Sequence, residues 1–123
     1  MRLADYSRVV VFTGAGMSAE SGIPTYRGSG GIWGEYNYQD YACESAFRRK
    51  PTQVLDFHAL RRGMVLECEP HAGHHHLTEL QVTHPNLAII TQNIDGMHQR
   101  AGAQVAAELH GSLWRMRCDT HGI

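Results

Sequence analysis

The amino-acid sequence predicts an α/β fold, a parallel sheet with flanking helices, and three features carry that expectation. Val9-Val10-Val11-Phe12 is an unbroken β-branched and aromatic run, the pattern of a strand buried on both faces. It leads straight into the turn Gly14-Ala15-Gly16 and a helix start. After a long stretch of helical periodicity, Leu87-Ala88-Ile89-Ile90-Thr91 repeats the arrangement, a second buried run ending in a polar turn.

The elements follow in order. Thr13 to Gly16 form the first turn, Met17 to Ser21 begin a helix, and Gly22-Ile23-Pro24 stop it. Residues 25–41, TYRGSGGIWGEYNYQDY, hold four glycines and four tyrosines without a period and read as one long loop. In a compact domain a loop of that length serves as a lid or binding segment. From Thr52 to Leu66 the apolar residues Val54, Leu55, Phe57, Leu60, Met64 and Val65 recur at threes and fours, which predicts a helix. Pro70 starts another helix that ends before His84-Pro85. Gln92 to Asp95 form a polar turn, a short helix runs on to Gly102, and Ala106 to Leu109 make a third strand. Leu113 to Cys118 alternate in polarity and read as a strand leaving the sheet.

Composition narrows the function classes. At 123 residues the chain has room for one core. Apolar residues make up 42% and charged residues 19%, ordinary for a soluble globular protein. A net charge of -1, with only short Arg pairs at 48–49 and 61–62, supplies no basic stripe for nucleic acid. No run approaches the ~20 apolar residues that cross a bilayer, and MRLADYSR lacks a signal-peptide plan, so no membrane is expected and the expected compartment is cytoplasmic. Cys43, Cys68 and Cys118, odd in number and far apart, read as reduced thiols. The consecutive His74, His75 and His76 point to different sides of a helix and read as a solvated polar face rather than a metal site.

Gly14-Ala15-Gly16-Met17-Ser18-Ala19 fits the G-x-G-x-x-G/A fingerprint of Rossmann-like dinucleotide sites, with Ala19 in the third place. Glycines let the backbone approach a pyrophosphate, and the N–H groups at the helix start face the anion. The same stretch also serves as a plain strand-to-helix turn. A hydride-transferring Rossmann enzyme would carry an acidic residue ~20 residues further on to hold the ribose. Here that region is the glycine- and tyrosine-rich loop.

Three blocks together resemble the sirtuin family of NAD-dependent protein lysine deacylases, in family order and at family spacing. GAGMSAESGIPTYRG (14–28) is similar to the first NAD-binding block, TQNIDGMHQRAG (91–102) to the second, and LHG (109–111) to the segment bearing the catalytic histidine. Tyr26 stands where the family usually has Phe, and Met97 where it has Leu. The resemblance implies that Gly14, Ala15 and Gly16 hold the NAD diphosphate, with Ser18 and Glu20 close by. Tyr26, Arg27 and Trp33 would belong to the cofactor-binding loop, and Gln92, Asn93, Ile94 and Asp95 would line the nicotinamide pocket. His110 would be the general base. NAD would be consumed as a co-substrate, yielding nicotinamide and O-acyl-ADP-ribose, with an acyl-lysine protein or peptide as partner.

These implied roles suit the residue types. A carboxamide such as nicotinamide offers one acceptor and two donors, which an Asn and an Asp at a strand end can orient. Breaking the glycosidic bond builds positive charge on the ribose and favours a site closed to water. A histidine suits proton abstraction from a ribose hydroxyl near neutral pH.

Two further features touch specificity and metal. The branch of the family that removes acidic acyl groups uses a Tyr and an Arg three residues apart on one helix face. Arg61 matches that arginine, which can grip a carboxylate through paired hydrogen bonds, while His58 stands at the tyrosine position. The bland reading is an exposed Arg pair on an amphipathic helix. Sirtuins also hold a structural Zn2+ between two Cys pairs. Cys118 lies where the first ligand belongs, and His121 rather than Cys stands three residues on. Two residues do not close a four-ligand site, so the resemblance implies zinc in a complete chain rather than here.

By this reading, residues 1–112 form the NAD-binding Rossmann-like portion with a helical insertion over 42–84. Residues 113–123 then start a truncated zinc-binding module, and the fold is the incomplete N-terminal portion of the family's. Two other functions share the same pocket: a non-catalytic module that binds NAD or ADP-ribose, and a protein ADP-ribosyltransferase.

Overall fold

A computed structural model of the chain describes residues 2–26, 31, 34 and 36–123. Its centre is a three-stranded parallel sheet of β1 (Val9–Thr13), β2 (Leu87–Thr91) and β3 (Val105–Glu108), with β2 in the middle. β1 and β2 run in register from Val9 opposite Leu87 to Thr13 opposite Thr91. β3 joins at Val105 opposite Ile89, and a bulge between Ile89 and Ile90 brings Glu108 opposite Thr91. Because the strands run the same way, their carboxyl ends lie together and the loops leaving them share one edge.

Among the described residues the α-helices are α1 (Gly16–Ala19), α2 (Tyr38–Tyr41), α3 (Glu44–Arg49), α4 (Pro51–Leu66), α5 (Ala72–Thr83) and α6 (Met97–Arg100). α4 begins on Pro51, where a missing N–H costs nothing, and buries Val54, Phe57, Arg61 and Val65 along one stripe. α5 begins two residues later than the sequence predicts. His71 rather than Pro70 sets its start, because the His71 Nδ1 accepts the Gly73 amide at 2.9 Å and caps the helix. The same ring donates from Nε2 to the Met17 carbonyl at 2.6 Å, tying α5 to the end of the glycine turn. Gly73 is required there, since a Cβ would come within 2.6 Å of the His71 ring.

Two apolar clusters hold these parts. Leu87, Ile89 and Ala103 are buried between sheet and α5 with Val9, Val11, Leu77, Leu80 and Val105 packed against them. Ile23, Val65, Met97 and Leu113, with Cys68 and Ile94, join the C-terminal half of α4 to the turn after β2. Beside them Tyr36, Tyr41 and Phe57 pack ring to ring, with centroids 4.7–5.4 Å apart, and fix α2 against α4.

Four expectations are corrected. β1 is not buried on both faces: Val10 and Phe12 are 62% and 58% exposed, because α5 covers only the Val9 and Val11 side. The 25–41 segment is not loop throughout, since Asn37 accepts the Gln39 amide through its side chain and starts α2; α3 follows, too short for its period to stand out. Residues 113–118 are not a strand, for among the described residues no strand lies beside them to pair with. His74 is fully buried rather than solvated, and only His75 and His76 face water.

A one-sided sheet makes unequal demands on its residues. Ile89→Ala should cost roughly 2–5 kcal/mol in chemical denaturation, whereas Phe12→Thr on the open face should stay within about 1 kcal/mol. Equal losses would mean that both faces carry the core.

Candidate active site

A cavity of about 740 Å³ opens at the carboxyl ends of the strands. The turn after β1 contributes Ala15 and Gly16, the segment beyond α1 contributes Thr25 and Tyr26, and the α2 region contributes Tyr38 and Ala42. α4 adds His58 and Arg61, the turn after β2 adds Gln92, Asn93 and Ile94, and the end of β3 adds His110. An adjoining recess shares Ala15, Tyr26, Arg61 and Asn93 and adds Ser18, Ile23, Pro24 and Asp95.

The glycines of the first turn suit a bound anion for a reason internal to the structure. Neither Gly14 nor Gly16 has a positive φ. A Cβ on Gly16 would meet nothing within 4 Å, and one on Gly14 would make only an ordinary 3.8 Å contact with Gln92. Neither backbone conformation nor internal packing therefore demands glycine. What a side chain would take up is open space at the cavity, the space a diphosphate needs to reach the backbone.

The two turns are bound to each other. Asn93 Nδ2 donates to the Gly14 carbonyl at 2.9 Å and to Ser18 Oγ at 3.3 Å, and Ser18 Oγ donates to Asp95 Oδ2 at 2.7 Å. The other oxygen of Asp95 accepts the Met97 amide at 2.9 Å and so starts α6. Trp114 Nε1 donates to the Asp95 carbonyl at 2.7 Å, across Gly96. Gly96 has φ +75, and a Cβ there would lie 2.7 Å from that indole nitrogen, so glycine is needed twice over.

Beneath the turns lies a buried polar layer. Thr13 Oγ1 donates to Thr91 Oγ1 at 2.8 Å, which commits its only proton, so His98 Nε2, 2.9 Å away, is the donor to Thr13. His74 packs edge-on to His98 with ring centroids 5.1 Å apart. Its Nδ1 accepts the His71 amide at 3.2 Å. The remaining nitrogens, His74 Nε2 and His98 Nδ1, are buried and have no partner among the described residues. Burial, reinforced by the neighbouring His98 and His71, pushes His74 down to about 4. Burial likewise lowers His98. Both rings are neutral at pH 7.

The α4 wall differs in charge. Arg61 is only 5% exposed, its guanidinium donates to the Tyr26 hydroxyl at 2.9 Å, and its carbon sits 4.8 Å from the Tyr26 ring centroid. The exposed Arg pair of the bland reading is therefore wrong for Arg61. One turn earlier His58 lies 2.7 Å from the Val54 carbonyl through Nδ1.

Of the residues singled out in the sequence, Ala15, Gly16, Tyr26, His58, Arg61, Gln92, Asn93, Ile94 and His110 line the cavity, and Ser18 and Asp95 line the recess. Gly14 joins them through its carbonyl bond to Asn93. Glu20 is exposed at the end of α1 and is not brought to either. Arg27 and Trp33 lie outside the described residues. Cys118 Sγ sits 3.2 Å from His121 Nδ1 on the exposed C-terminal segment, and among the described residues no third His, Cys, Asp or Glu joins them to make a metal-sized group. Sequence reasoning missed the layer of Thr13, Thr91, His74 and His98. Its signals were present, since Thr91 and His98 belong to the 91–102 block and His71 and His74 share a helix face.

The comparisons with known proteins fall in line with this geometry. The Sir2 family model matches residues 14–122, and the chain belongs to that family. It is 47% identical over 116 residues to NAD-dependent protein deacylase 2 of Pyrobaculum aerophilum, covering 94% of this chain and 47% of that protein. It is 44% identical over 124 residues to mitochondrial NAD-dependent protein deacylase sirtuin-5 of the dog, covering 98% and 40%. A solved mutant Sir2 homologue in complex with ADP-ribose superposes with a TM-score of 0.84 at 40% identity, over 94% of this chain and 46% of that one. The chain thus spans about half the length of the relatives it matches.

Neutral buried histidines make the site floor acid-sensitive. The folded chain holds His74 near 4, whereas an unfolded histidine titrates at 6.5, so the unfolded state binds more protons between those values. Stability should be complete above about pH 6.5 and fall by roughly 3 kcal/mol toward pH 4. Urea denaturation across that range should show the loss, and His74→Asn should flatten it.

Proposed function

We propose that this Sir2-family chain forms the NAD- and acyl-lysine-facing part of an NAD-dependent protein-lysine deacylase. The observation that carries the reading is the meeting of Gly16, Asn93 and His110 in one cavity at the strand ends. NAD, when bound, supplies the ribose carbon whose bond to nicotinamide breaks as the acyl-lysine oxygen attacks. The open space at Gly14 and Gly16 accommodates the diphosphate, and Tyr26 shields the ribose side from water. Asn93 and Asp95, held by Gly14, Ser18 and the Met97 amide, present a preorganised turn to the carboxamide. His110, exposed at the end of β3, takes the proton from a ribose hydroxyl so that the oxygen can collect the acyl group.

Cys118 and His121 supply two of the four ligands a structural zinc requires; the present residues do not close that site, and no step is assigned to it. We assign residues 1–112 to the NAD-binding portion, 113–123 to the start of the zinc module, and its action to the cytoplasm. The unpaired state of Cys43, Cys68 and Cys118 supports that compartment, and no helix of the described residues is long and apolar enough to cross a membrane. Acidic acyl groups, malonyl or succinyl, are favoured by Arg61, a buried cation at the cavity wall.

Nicotinamide release from NAD in the presence of acetyl-, malonyl- and succinyl-lysine peptides tests the activity. His110→Tyr should abolish release yet leave ADP-ribose binding largely intact. A folded chain that binds ADP-ribose but releases nothing with any peptide would fit a binding module instead. Transfer of the ADP-ribose label to protein would fit a transferase. Arg61→Met should weaken use of a succinylated peptide at least about tenfold more than use of an acetylated one, and equal losses would remove the acidic-acyl assignment.

A further inference from the structure

Resting on the deacylase reading above, we propose that His58 is a proton-operated selector at the acyl end of the cavity. Protonated, it admits an acyl group that ends in a carboxylate; neutral, it favours an uncharged one.

The argument begins with the ring's hydrogen bond. His58 Nδ1 lies 2.7 Å from the Val54 carbonyl, and a carbonyl oxygen only accepts, so Nδ1 carries a proton in every state of the ring. In the neutral ring the other nitrogen, Nε2, is then a bare lone pair. A lone pair turned toward a carboxylate repels it and offers no donor. A second proton turns the same atom into a charged donor, the stronger kind of partner for a carboxylate oxygen. A tyrosine hydroxyl in this place would donate at any pH below its own ionisation. Histidine makes donation conditional.

Among the described residues, the neighbours leave the substrate as the source of negative charge. Arg61, one turn on, lines the same cavity and is buried, and among the described residues no carboxylate pairs with it. A buried cation without an anion is costly, and a carboxylate entering beside it would relieve that cost. Among the described residues, the other titratable groups lining the cavity are Tyr26, Tyr38 and His110, none of them an acid at neutral pH. Asp95 stands in the adjoining recess with its oxygens on Ser18 and the Met97 amide, and Asp56 on His58's own helix is exposed. Phe57 meets the His58 ring edge-on at 5.4 Å and adds no charge. Uptake of the second proton by His58 is therefore coupled to arrival of the acyl carboxylate, and the coupling is reciprocal.

Binding of acetyl-lysine and succinyl-lysine peptides of one sequence to the full chain, with ADP-ribose present, tests this between about pH 6 and about pH 8.5, where histidine changes charge and a succinyl carboxylate does not. The succinyl-to-acetyl affinity ratio should fall roughly tenfold as pH rises across that range. Using the ratio cancels any titration that affects both peptides alike. His58→Gln, whose amide donates at every pH, should hold the ratio constant. By NMR, succinyl peptide should move the His58 ring titration to higher pH, and acetyl peptide should not. A succinyl preference that ignores pH, or a His58→Gln ratio that still follows pH as the parent does, would overturn the selector while leaving the deacylase reading intact. Binding of ADP-ribose with no binding of either peptide would overturn both.

Discussion

Everything at the site hangs on the polar tie between the ends of β1 and β2. Thr13 bonds to Thr91, Thr91 accepts the Asn93 amide, Asn93 reaches back to Gly14 and Ser18, and Ser18 bonds to Asp95. Thr13, Thr91, Asn93, Ser18 and Asp95 are all buried, and an unpaired polar atom there costs about 1–3 kcal/mol. The network is satisfied only when the two turns stand at one separation. Parallel register from Val9 to Thr13 sets that separation, so the sheet and the pocket determine each other.

Below that tie, the charge arrangement is divided. Threonines and neutral histidines form a floor without net charge, because burial makes a second proton on His74 or His98 unfavourable. The cation of Arg61 stands apart on α4, packed against Tyr26 and Phe57, and among the described residues no acid pairs with it. One side of the cavity thus offers the glycine turn and the Asn93 turn, and another offers a guanidinium.

The open side of the sheet follows from the same economy of elements. α5 covers Val9, Val11, Leu87 and Ile89, and Val10 and Phe12 face outward. The chain spans about half the length of the relatives it matches. The segment after His110 shows a similar state. Leu113 packs inward and Trp114 holds Asp95, while Met116 and Ile123 are exposed.

Much of this was legible in the amino-acid order because its signals are local. Strand runs, the helical stripe of α4, the glycine turn and the blocks around Asn93 and His110 are all read within a dozen residues. Burial is not local. Val10 is as apolar as Val9, yet only a neighbouring helix decides which of them is covered. His74 and His76 are the same residue type two positions apart, and one sits against His98 while the other faces water. The order of residues determined the family, the strand-turn-helix plan and the set of chemical groups available at the site. Only the tertiary structure decided that Arg61 is a buried cation, that His58 is held by Val54 in a single tautomer, and that His74 and His98 are neutral. Those states depend on solvent access and on partners 4 to 85 residues away along the chain, contacts that exist only once the chain has folded.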